Sequence, residues 1–139
     1  MLPVREERDM LMAMRIAKIL ISILAFSAFG LLAQDDLAKF QPLMKTAAGA
    51  NGAARGAADQ AALSAKAKEM AEAFDGIAAF FKDKGKDDAV KFAMAAGDAA
   101  KAAAAAGTLE EGKAALGKLG PNCQGCHAIY RDGSKFKGL

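Results

Sequence analysis

The sequence predicts an all-α fold, an antiparallel four-helix bundle, on three observations. Strand-forming runs are nearly absent, since valine is rare and isoleucine is concentrated near the N-terminus, which excludes a β or α/β fold. Apolar residues recur three and four positions apart over most of the chain beyond residue 40. Alanine, the best helix former, supplies much of a hydrophobic fraction of 53%. The same composition implies a thin core, with eight Phe, one Tyr and no Trp among 139 residues. A bulky apolar group bound inside would fill it.

The first segment, 1–33, reads as a leader. Met14-Arg15-Ile16-Ala17-Lys18 is a positive start, Ile19 to Ala33 is an uncharged apolar run, and Ala28, Gly30 and Ala33 offer small residues at cleavage spacing. That is the layout of a secretory signal, with Met14 a candidate true start. The run is short for a membrane span, which needs ~20 apolar residues. The expectation is export to the periplasm, with membrane attachment only if the segment is retained, and a mature domain over 34–139.

Helix one carries Phe40, Leu43, Met44, Ala47 and Ala48 on one stripe. It is expected to begin near Gln41 with Pro42 in its first turn, and the Gly-rich stretch 51–56 weakens its end. Helix two places Leu63, Ala67, Met70, Phe74, Ile77 and Phe81 at seam spacing. Asp59 is its expected cap, and the polar turn Lys82–Lys86 ends it. Asp87 or Asp88 is expected to cap helix three, whose inner face is Val90, Ala93, Met94, Gly97, Ala100 and Ala104. Met70 and Met94 read as core. Thr108 precedes Leu109-Glu110-Glu111 as a cap with acidic residues in the first turn. Leu109, Leu116, Leu119, Cys123, Cys126 and Tyr130 continue the seam, and Gly120-Pro121 predicts a break just before Cys123. Phe80-Phe81 exceeds what one face buries, so one ring is expected at the surface, where it would mark a homodimer or partner patch. Residues 132–137 read as a turn and a loosely held tail.

Charge excludes one class of partner. Lys and Arg total 19 against 16 Asp and Glu, and no basic cluster interleaves with aromatics, so nucleic acid is not a partner.

The chemistry lies in Cys123-Gln124-Gly125-Cys126-His127, the C-x-x-C-H spacing of c-type haem attachment. On a helix, thiols three residues apart reach the two vinyl groups on one porphyrin edge, and His127 then turns its imidazole to the iron. Gly125 keeps the backbone lean where the ring passes. These are the chain's two cysteines and its one histidine. A zinc site needs four such ligands. A thioredoxin-like dithiol follows a strand, and none precedes Cys123. A Cys123–Cys126 disulfide in a non-haem helical interaction protein would leave His127 without a role. One covalent haem c is the reading that uses all three residues.

A haem motif on the last helix of a bundle resembles the class II c-type cytochromes, cytochrome c prime and its low-spin relatives. His127-Ala128-Ile129-Tyr130-Arg131 is similar to that family's C-x-x-C-H-x-x-aromatic-Arg ending, and Phe40-Gln41-Pro42-Leu43-Met44-Lys45 to its first-helix segment facing the haem. Phe40 stands where the family often has Arg, and Pro42 is unusual there. The resemblance implies axial ligation by His127 and Met44, giving a low-spin, one-electron carrier with no enzymatic activity and with redox proteins as partners. A five-coordinate iron binding NO or CO is the family's other mode. Arg131 would pair with a haem propionate, and Phe40, Phe74, Ile77 and Leu119 would line the pocket. Tyr130 would pack on the haem edge or close the bundle.

Overall fold

The computed structural model describes residues 36–133 and 135–138, with the backbone alone for Lys135. The segment read above as a leader, 1–33, lies outside the described residues. The chain divides into two units, Met1–Lys39 and Phe40–Leu139, and the architecture below is that of the second.

The fold is all-α. Helix α1 runs over 36–55, α2 over Gln60–Asp83, α3 over Asp87–Ala105, α4 over Leu109–Gly117 and α5 over Leu119–Tyr130. Pro42 lies inside α1 rather than in its first turn, and the helix passes through Gly52 to residue 55. Asp59 caps α2, its Oδ1 accepting from the Ala62 N–H at 2.8 Å. The turn that follows needs a left-handed residue, and Gly85 supplies it at φ 66°. Helix α3 begins without a side-chain cap. Asp88, expected there, instead accepts from the Tyr130 hydroxyl at 2.5 Å and joins α3 to the end of α5. Thr108 and Glu111 form a reciprocal capping box at the start of α4.

The last predicted helix is divided, but at Lys118 and not at Gly120-Pro121. Pro121 falls in the first turn of α5, where its missing N–H has no acceptor to lose.

Helix α2 packs along α3, and α3 also meets α4 and α5. Burying Leu63, Met70 or Phe81 is worth about 1.5–3 kcal/mol each, against roughly 0.8 kcal/mol for an alanine methyl. The all-small face of α3, from Ala89 and Ala93 to Ala100 and Ala103, is buried and earns its place through close approach. A Cβ on Gly97 would stand 3.4 Å from the Phe74 Cβ. Gly112 is tighter, since a Cβ there would meet Leu63 at 2.9 Å. Gln60 stitches the far end, donating to the carbonyls of Ala103 and Ala106 at 3.1 and 2.9 Å.

Three sequence expectations are corrected. Met94 is 57% exposed, because it sits on the flank of α3 opposite the alanine face, whereas Met70 is core as expected. Phe80 is not an exposed patch: its ring packs 4.8 Å from Phe40, while Phe81 is fully buried. The stretch expected as a loose tail is tied back on itself at its described residues. Arg131–Asp132 pairs antiparallel with Lys135–Phe136, around Gly133 at φ 59°.

Among the described residues, no helix is long and apolar enough to cross a membrane.

Candidate functional site

Helix α5 buries only Leu119 and Tyr130, one near each end. Between them it presents Cys123, Cys126 and His127, all half-buried, toward α1 and α2. The two cysteines are free thiols. With Met44 and Phe40 from α1 they line an apolar cavity of about 30 Å³. A second cavity, of about 180 Å³, is also bordered by Met44, Cys123 and His127, with Met70 and Leu119 among its other walls. Met44 and His127, far apart in sequence, therefore both border the same two empty spaces. Phe74 borders both cavities and Ile77 the first, where sequence reasoning put them.

The electrostatics suit uncharged ligands. Burial pushes the Cys123 thiol up, with the charge of Arg55 opposing it. Cys126 is pushed up to about 11 by burial, then by the nearby Asp88 carboxylate and Cys123. Neither cysteine has the depressed pKa of a nucleophile or a redox dithiol. Burial, assisted by the Arg131 charge, lowers the pKa of His127. Its imidazole is thus neutral at pH 7 and keeps a ring-nitrogen lone pair to give to a metal. No three His, Cys, Asp or Glu side chains among the described residues gather to hold an ion.

Gly125 has a different neighbour from the one expected. A Cβ there would stand 2.5 Å from Cε1 of Phe92, so the ring of this α3 residue fills the space that glycine leaves. Arg131 lines neither cavity. It is exposed and its Nε donates to the Gly133 carbonyl at 2.7 Å. Tyr130 closes the helix end, its ring 5.4 Å from that of Phe81.

Sequence reasoning missed two aromatic walls of the cavity, Phe92 and Phe136. Phe92 was findable as the one aromatic in a helix of small residues. Phe136 had no periodicity to mark it. Arg55, also missed, donates to the Leu116 carbonyl at 3.2 Å, satisfying an acceptor near the end of α4.

No family model matches this chain, and no similar curated protein or solved structure was found.

Proposed function

We propose that this chain is an exported, periplasmic monohaem c-type cytochrome of the class II kind, an antiparallel four-helix bundle in which α4 and α5 together make the fourth helix. Its function is one-electron transfer between redox proteins, with no enzymatic step. The observation that carries the reading is that Met44, Cys123, Cys126 and His127 border one apolar cavity.

The donor set fits haem c. Two protonated thiols on one helical face would hold the group through thioethers, a neutral imidazole follows them, and a thioether stands on the facing helix. When bound, haem supplies a one-electron ferric/ferrous couple. The remaining work belongs to the chain. Cys123 and Cys126 would fix the group to α5, so that it could not dissociate. His127 and Met44 would hold the iron, and imidazole with thioether as its ligands would favour the ferrous state and raise the potential. Phe40, Phe74 and Ile77 exclude water from the site, which also acts on the potential. Two fixed protein ligands change little on reduction, which suits an electron carrier.

The test is optical absorption of the chain expressed with a haem-attachment system. The expected result is a low-spin spectrum that carbon monoxide leaves unchanged, and a Met44→Ala variant that becomes high-spin and binds the gas. A wild-type chain that is already high-spin and binds carbon monoxide would mean the gas-binding mode. Absence of haem absorption would refute both modes.

A further inference from the structure

Phe136 is the one aromatic residue beyond Tyr130, and the chain turns back to deliver it. Arg131 pairs with Phe136 across a two-residue ladder, and the Lys137 N–H donates to the Tyr130 carbonyl at 3.0 Å. A ladder this short has little stability of its own. What holds it down is the seat of its aromatic ring. Phe136 stands edge-to-face on Phe40, with centroids 4.5 Å apart and planes at 87°, a favoured aromatic geometry. Phe40 is itself buried against Phe80 and Phe81. The half-buried Phe136 ring is also a wall of the cavity bordered by Met44, Cys126 and His127. We infer that Phe136 is a site residue, carried on a C-terminal strap, which seals this cavity and keeps water from the haem bound there. The inference rests on the haem reading above.

Sealing has a measurable consequence. Water at the cavity stabilises the more highly charged ferric state, so opening the seal lowers the reduction potential. In the haem-loaded full chain, Phe136→Ala is expected to lower the potential relative to wild type, while Phe136→Leu, which keeps an apolar wall, holds it near the wild-type value. Equal potentials for wild type and Phe136→Ala would overturn the seal. A second readout is independent of the potential. The chain contains no Trp, so Phe136→Trp introduces a single indole fluorophore. Most of its emission should be lost in the folded, haem-loaded chain through energy transfer to the group beside it, and recovered on unfolding in denaturant. Emission at the wavelength of a solvent-exposed indole, in a chain that has loaded haem, would overturn the inference while leaving the haem reading intact. A chain that loads no haem overturns that reading first, and the absorption spectrum distinguishes the two failures.

Discussion

Gly125 and Cys126 show how finely single side chains set this site. The ring of Phe92 occupies the volume that a Cβ on residue 125 would need. Gly125→Ala must therefore displace a half-buried aromatic, and overpacking of this kind costs about 1–3 kcal/mol. Urea denaturation of the variant should show that loss as a lower midpoint with an unchanged slope. The neighbouring thiol gives a chemical readout. Raising Cys126 from 9.0 to about 11 cuts its thiolate share about 100-fold at neutral pH. In haem-free chain, iodoacetamide should alkylate Cys126 far more slowly than a free thiol, and unfolding should restore the ordinary rate. Of the residues that border the cavity, Cys123, Cys126 and His127 were legible because their spacing is itself a motif. Met44 was legible only through resemblance, since a methionine on an apolar stripe reads equally well as core. Phe92 and Phe136 were not, because each acts through a partner distant in sequence.

At the scale of elements, ends and joints proved less legible than faces. The seam of α2 was readable from Leu63 to Phe81 because large residues alternate four and three apart. On α3 the small residues carry almost no periodic contrast, and Met94 was accordingly assigned to the wrong side. The α4–α5 joint was misplaced for a different reason: proline is tolerated in a first turn, so Pro121 marks the start of α5 rather than its breakage. The cap of α4 was readable, and it is testable. Thr108→Ala removes the acceptor for the Glu111 N–H and should cost about 1 kcal/mol in equilibrium unfolding. The tie between α3 and α5 predicts a pH dependence. Its hydrogen bond to Asp88 pushes Tyr130 up to about 12, while the same bond holds Asp88 below its ordinary 3.8. Folding therefore retains the phenol proton above the pH at which an unfolded tyrosine loses it, so this contribution fades as pH rises from about 10 toward 12. On the acid side it is present above 3.8 and fades as pH falls through the lowered carboxyl value. The stability difference between wild type and Tyr130→Phe should thus be widest near neutrality and shrink toward both extremes, as measured by denaturant midpoints across that range.

For the whole molecule, an alanine-rich interior leaves two cavities, of about 30 and 180 Å³, against its few large side chains. A covalently attached group stays on the unfolded chain, so it stabilises the native one only through the burial and ligation it gains there. Haem-loaded chain is expected to melt well above haem-free chain in a thermal scan followed by circular dichroism, and equal melting temperatures would mean that the cavities are not where the group resides. The helical class was legible because composition and periodicity agree over most of the chain. The packing was not, since stripes of alanine fit many partners and only close approaches such as Gly112 on Leu63 select one. The short Lys84–Lys86 turn between α2 and α3 has a further consequence, which concerns the order of events. Contacts across a tight hairpin close a small loop and cost little chain entropy, so they form early and fast. Bringing Met44 to the cavity that His127 also borders closes most of the domain in one loop and comes late. The α2–α3 hairpin is thus a platform that exists before the site does, and its amides should be the slowest in the molecule to exchange with deuterium.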